Sequence, residues 1–240
     1  MKSDCKIAIL MYHKLVDESP RSIYERSVKN FTNDLNYMME NDIQIIPLRE
    51  LSLIKNGTKI IEKNSVVITF DDGNKSDIVH AYPALNNNST PASFFLVSSW
   101  IGKSEYLDIE SINLMLKKRD LSGNSLFSFE CHSLSHPFLL KARKEMIGKY
   151  EYEQFLDTEI GKSRQAIFEI TKKEPNWFSL PYGEGAQDEL IIKIAKKNGY
   201  TGIRTSIWNV CDLINFDLFC IPSLPILSNT KIDELLKRYF

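Results

Sequence analysis

The chain has 240 residues, 43% of them hydrophobic and 25% charged, with a formal net charge of −1. That length holds one sizeable core, and the composition excludes a disordered, collagen-like or coiled-coil chain. Acidic and basic residues nearly cancel and no stretch concentrates Lys or Arg, so nucleic acid is not an expected partner.

The first element is the apolar run KIAILMY (6–12), read as a buried strand that ends on His13. It is too short for a secretory leader or a membrane span, so neither a leader nor a transmembrane segment is expected. FTNDLNYMMEN (31–41) follows as a helix with Thr32 as its N-cap, then IQIIPL (43–48) and SVVITF (65–70) as strands. The second of these closes on Asp71, Asp72 and Gly73. DIVHAYPALN (77–86) reads as a helix with His80 on one face, ASFFLVSS (92–99) as a strand, and DIESINLMLKKR (108–119) as a helix. SLFSFE (125–130) is a strand, residues 152–173 a helix, NWFSL (176–180) a strand, and QDELIIKIAKKNG (187–199) a helix closed by Gly199. YTGIR (200–204) and LFCIPSLPI (218–226) complete the strands.

Strand and helix alternate from end to end, which points to an α/β chain of parallel strands joined by crossover helices. Seven or eight such units fit a closed barrel better than an open sheet. No linker or composition shift interrupts them, so residues 1–240 read as a single domain. Cys5, Cys131, Cys211 and Cys220 are irregularly spaced with no CxxC, so they read as reduced thiols of a cytoplasmic protein, with Cys131 as core.

In such barrels functional side chains gather at the C-terminal strand ends. Neighbouring residues of a strand face opposite ways, so Asp71 and Asp72 can share a site only if the chain twists there, which Gly73 permits. Taken alone, Asp-Asp-Gly is more often a solvated turn. His132 and His136 stand four apart, and Pro137 pushes His136 out of the α region, so a loop or distorted turn is expected to present both rings. Two imidazoles and one carboxylate make a facial metal-ligand set with open positions. A third strand end brings Trp177, Pro181, Tyr182 and Gly183 to the rim, as a turn with an exposed N–H and an aromatic wall or as a plain loop.

TFDDG, HSLSHP and PYG, in that order and each at a strand end, resemble the motifs of the polysaccharide deacetylases of carbohydrate esterase family 4, the NodB-homology domain. The resemblance spans residues 7–226 if ILMYH is included. It implies an irregular (β/α) barrel of seven to eight strands that removes acetyl groups from N-acetylated sugars or glycans with one bound divalent metal. Zinc suits the ligands first, with cobalt, nickel or manganese as alternatives. By the same resemblance Asp71 is the general base toward the attacking water, Asp72, His132 and His136 are the metal ligands, and the backbone N–H of Tyr182 is the oxyanion donor. Trp177, Pro181, Tyr182 and Trp208 are the expected substrate wall, although either tryptophan serves equally as core.

Two departures from the family pattern stand out. Ser179 occupies the position of the arginine that usually pairs with the catalytic aspartate, and no histidine follows His136 to protonate the leaving amine. His13 is the candidate acid because it ends a strand on the same rim; a solvent-facing first-loop histidine is the equal alternative. Protonated Asp71 offers a second route. The expected function is metal-dependent N-deacetylation of an amino sugar, in a cytoplasmic precursor if the protein is cytoplasmic. The rivals are another C–N hydrolase such as a deformylase, and a degenerate glycan-binding barrel.

Overall fold

The apolar runs that alternate with helices in the sequence lie side by side in one sheet, and their pairing decides where the polar strand ends meet. The computed structural model describes residues 5–145, 148–213 and 215–240. The barrel strands are β1 (Lys6–Tyr12), β2 (Ser65–Asp72), β3 (Ala92–Leu96), β4 (Phe127–Cys131), β5 (Trp177–Ser179), β6 (Gly202–Arg204) and β7 (Leu224–Pro225). From β1 to β6 each strand pairs in parallel with the next. The segment carrying β7 joins the two edges. Leu224 pairs with Leu10 of β1, while Ile221 accepts from Thr205 N at 2.8 Å and donates to Ile203 O at 2.9 Å. Seven strands therefore form a closed, irregular (β/α) barrel, as the alternation predicts.

Two of the predicted strands shrink. IQIIPL contributes only Gln44–Ile45, paired with the start of β2 on the side that β3 takes over from Thr69 onward. LFCIPSLPI is mostly turn, with a 3₁₀ segment at Leu218–Cys220 ahead of β7. A further short strand, Cys211–Asp212, runs antiparallel to β1.

Alternation along the strands sorts the core into two layers. Ala8, Leu10, Val66, Ile68, Phe70, Phe94 and Cys131 face the surrounding helices. Ile7, Ile9, Val67, Phe95, Trp177 and Ile221 fill the barrel. Continued to the rim, the inward set reaches Met11, Asp71 and Ser179. A catalytic carboxylate on β2 is thus dictated by the same period of two that packs Val67.

The first helix is Val28–Glu40, and Ser27 is its N-cap, accepting from Asn30 N at 3.1 Å. Thr32 is not the cap; it lies inside the helix and donates to Val28 O at 3.0 Å. The buried stripe Phe31, Leu35 and Met38 begins a turn later than the helix, which is why the apolar pattern misplaces the start. Residues 77–86 form a π-turn (Asp77–Ala81) followed by an α-helix (Tyr82–Asn87). The wider turn accommodates Pro83, whose ring and missing N–H disfavour a regular α ladder there. The long segment from 152 is likewise divided, with a π-turn at Asp157–Lys162 before Ser163–Thr171. A helix at Ile232–Tyr239, not anticipated from the sequence, closes the chain. Among the described residues no helix is long and apolar enough to cross a membrane.

A buried ion pair fixes the wall beside the first strand end. Arg26 holds Asp34 through two nitrogens, at 2.6 and 3.0 Å, and donates to the carbonyls of Leu227 and Thr230 at 3.1 and 2.8 Å. Tyr12 OH donates to the same Asp34 at 3.1 Å. Removing one partner of such a pair leaves a buried charge uncompensated. Arg26→Ala is expected to cost about 3–5 kcal/mol, read as a fall of about 10 °C in melting temperature for a chain of this size.

Candidate metal centre and active site

At the end of β2 the chain turns left-handed at two successive residues, Asp72 with φ 73° and Gly73 with φ 73°. That twist brings both carboxylates to one side, as the adjacent pair requires. Asp72 Oδ1 lies 3.6 Å from His132 Nε2 and 3.7 Å from His136 Nε2, and the two Nε2 atoms are 3.0 Å apart. Asp71 Oδ2 stands 3.9 Å from His132 Nε2.

His132 continues β4 and is buried. Its Nδ1 lies 3.0 Å from the carbonyl of Ser179. A carbonyl only accepts, so Nδ1 carries the proton and the Nε2 lone pair faces Asp72 and His136. His136 has φ 61°, outside the α region as Pro137 predicts. Its ring is flanked by Trp100 at 5.3 Å and Tyr182 at 4.5 Å between centroids.

Donor atoms 3.0 to 3.7 Å apart fit a cation. Ligands about 2.0–2.2 Å from one ion subtend edges of about 3–3.5 Å at tetrahedral or octahedral angles. Without a cation a proton must sit among these close atoms, as in an Nε2–H of His136 donated to His132 Nε2; with one, both imidazoles can turn a lone pair on it. The two histidines are held neutral, which suits this donor role. Burial lowers His132 to about 3, and lowers His136 as well. Burial, then the charge of Asp71, pushes Asp72 up to about 7; a cation between the three groups opposes that rise.

Asp71 is buried beside a guanidinium that the sequence reading did not assign. Arg204, at the end of β6, donates through Nη2 to Asp71 Oδ2 and to Ser179 Oγ. Ser179 and Arg204 are cross-strand partners. The arginine missing at Ser179 is therefore replaced from the next strand, and the small serine leaves room for it. Arg204 lies over the Phe95 ring, 5.1 Å from its centroid. Burial raises Asp71, but Arg204 and His132 more than offset this, so its carboxyl lies below the ordinary value. Asp71 Oδ1 is buried with no hydrogen-bond partner among the described residues.

These groups line a cleft of about 610 Å³ together with His13, Tyr24, Leu180, Gly183, Ser206 and Trp208. His13 thus shares the site, its ring 5.0 Å from that of Tyr24. Burial lowers its pKa while the Asp71 charge opposes this. Tyr182 enters the cleft from a 3₁₀ turn, with φ 55°. Gly183 beside it has φ 71°, and a Cβ there would meet Ser206 Oγ at 1.7 Å, so glycine is required on both counts.

Two expected wall residues are elsewhere. Trp177 is buried in the barrel interior, against Gly202, where a Cβ would meet its ring at 2.2 Å. It shares the inward face of β5 with Ser179 but lies two residues deeper. Pro181 is buried and does not line the cleft, because its turn presents Leu180, Tyr182 and Gly183 instead. Trp208 does line it, 53% exposed. His80 lies on the π-turn, 3.5 Å from Asp17, away from the site.

The family profile described as polysaccharide deacetylase matches residues 59–203. This chain belongs to the polysaccharide deacetylase family. Among curated proteins it is 25% identical over 218 residues to the poly-β-1,6-N-acetyl-D-glucosamine N-deacetylase of Staphylococcus aureus strain MRSA252, covering 90% of this chain and 72% of that one. Its fold matches the Streptococcus pyogenes deacetylase PplD, solved with acetate, at a TM-score of 0.81 and 21% identity over 98% of both chains. A de-N-acetylase from Aggregatibacter actinomycetemcomitans matches at 0.83 and 19% identity over 98% of this chain and 100% of that one. In this chain the aspartate pair and both histidines of the expected motifs meet at one rim, and the arginine that pairs with Asp71 comes from β6.

Proposed function

We propose that this protein is a metal-dependent hydrolase that removes N-acetyl groups from N-acetylglucosamine units of a glycan, with Asp71 as general base. The observation that carries this reading is the triangle of Asp72, His132 and His136 donors set beside an ion-paired Asp71. The curated relative named for poly-β-1,6-N-acetylglucosamine supports a polymer over the cytoplasmic precursor that the sequence reading favoured. The cleft supports it as well, with Tyr24, Tyr182 and Trp208 each at least half exposed around the opening.

Asp72, His132 and His136 would hold the cation, zinc by donor type. When bound it supplies Lewis acidity that polarises the acetyl carbonyl and lowers the pKa of water. Asp71 accepts the proton of the attacking water at Oδ1, while Arg204 holds Oδ2 and fixes the orientation of the carboxylate. The Tyr182 N–H is the proposed donor to the oxygen that gains charge as the carbonyl carbon becomes tetrahedral. The proton then passes to the departing nitrogen from Asp71 or from His13. At pH 7 His13 is neutral, its pKa lowered by burial, so it relays a proton only after receiving one.

His13→Gln separates the two routes. If His13 carries the proton, kcat is expected to fall by about 10²-fold or more with metal content unchanged. Turnover near the wild-type value assigns the step to Asp71 alone.

The function is tested by acid release from β-1,6-linked N-acetylglucosamine oligomers and from their N-formyl counterparts. Acetate from the former, abolished by a chelator, is the expected result. Formate alone would favour a deformylase. No release with zinc, cobalt, nickel or manganese supplied would favour a non-catalytic glycan-binding barrel, a reading that loses one of its supports now that Arg204 fills the missing arginine's place.

A further inference from the structure

The loop between the two histidines is bent in a way its sequence does not favour. Ser133 and His136 both have left-handed φ, 68° and 61°, and neither is glycine. Such backbone persists only where the surroundings over-determine it. One side of the loop is held by main chain, since Ser98 N donates to Ser133 O at 3.2 Å and Ser99 N to Leu134 O at 2.9 Å. Within it, His136 N donates to Ser133 Oγ at 2.8 Å. On the other side the main chain and Ser135 are held by Glu159. Its Oε2 accepts from Ser135 N at 2.9 Å, its Oε1 from Ser135 Oγ at 2.8 Å, and its carbonyl from Leu134 N at 2.9 Å.

Glu159 is buried, with 5% exposure. It lies on the π-turn Asp157–Lys162, the extra-wide turn inside an otherwise α-helical stretch. A turn of that kind interrupts a helix at a cost in regular hydrogen bonding and is frequent at functional sites. Here it aims a carboxylate at the residue next to His136. His132 needs no such help, because β4 and the Ser179 carbonyl already fix it.

We infer that Glu159 is a positioning residue for the metal centre: by gripping Ser135 it holds the strained 133–136 loop so that His136 Nε2 stays within reach of Asp72 and His132. This rests on the reading of Asp72, His132 and His136 as metal ligands. Without the carboxylate that side keeps only the Leu134 N–H bond to the Glu159 carbonyl; Ser135 is released, and the segment to His136 relaxes toward ordinary φ, withdrawing His136 and leaving two ligands.

The test is zinc affinity of the full chain, measured by competition with a chromogenic chelator, which requires no turnover. Wild type and His136→Ala set the two ends of the scale. Glu159→Ala is expected to bind zinc about 10- to 100-fold more weakly than wild type. Glu159→Gln, whose amide can still accept from Ser135 N and donate to its Oγ, is expected to recover most of that loss. With cobalt in place of zinc, the visible absorption of Glu159→Ala is expected to move toward that of His136→Ala. Wild-type affinity in a folded Glu159→Ala, or equal loss in the Gln variant, overturns the positioning role alone. Should Glu159→Ala not fold, Ser135→Ala removes one of the bonds from the other side; a smaller loss of affinity supports the role and unchanged affinity overturns it. A wild type that binds zinc no better than His136→Ala sinks the metal-site reading and this inference together.

Discussion

Asp71→Asn is expected to lower acetate release by about 10²–10⁴-fold while leaving zinc binding intact. The carboxylate is not among the three groups whose donor atoms converge, so its loss removes a base and not a ligand. Asparagine has nearly the same shape, and its amide oxygen can still accept from Arg204. What it lacks is a lone pair basic enough to take a proton at the position of Oδ1, which is buried and has no other partner among the described residues. Turnover and zinc stoichiometry measured on one preparation decide the matter. Activity within tenfold of wild type would assign the base elsewhere.

Arg204→Met is expected to lower kcat by about 10²-fold and to move the acidic limb of the kcat/KM profile to higher pH. The sign follows from the opposing influences on Asp71, where burial raises the carboxyl pKa and the guanidinium more than reverses it. A base works only when ionised, so wild-type activity is retained until pH falls through the depressed value. With Arg204 gone, burial remains, the carboxyl takes up its proton at higher pH, and activity fails sooner as the solution is acidified. The same linkage applies to stability: the contribution of ionised Asp71 is present above its unfolded pKa and is lost as pH falls through the folded one. A profile whose acidic limb does not move would show that Arg204 does not set the protonation of Asp71.

Much of this arrangement was legible in the chain, for identifiable reasons. KIAILMY and SVVITF read as strands because β-branched and aliphatic residues fill short runs. The period of two then places Asp71 on the same face as Val67. The Pro137 rule anticipated that His136 would leave the α region. Arg204 was not found because its partner is set by register: Ser179 and Arg204 face each other across β5 and β6, 25 residues apart in sequence. The available signal was that YTGIR ends on a charged residue at the rim where chemistry was expected. Trp177 and Trp208 look alike in sequence and differ only in depth, one packed on Gly202 inside the barrel and the other on the loop beyond β6. The π-turns at 77 and 157 escaped because helix periodicity tolerates one extra residue. Glu159 lies on the second of them, where helix periodicity does not set it apart from the other charged residues.

The most direct measurement is metal stoichiometry after dialysis against zinc, for wild type and for Asp72→Ala, His132→Ala and His136→Ala. One zinc per wild-type chain, lost in each of the three variants, is the predicted result. Wild-type protein without zinc, or variants that retain it in full, would contradict the idea that these three side chains converge on one ion.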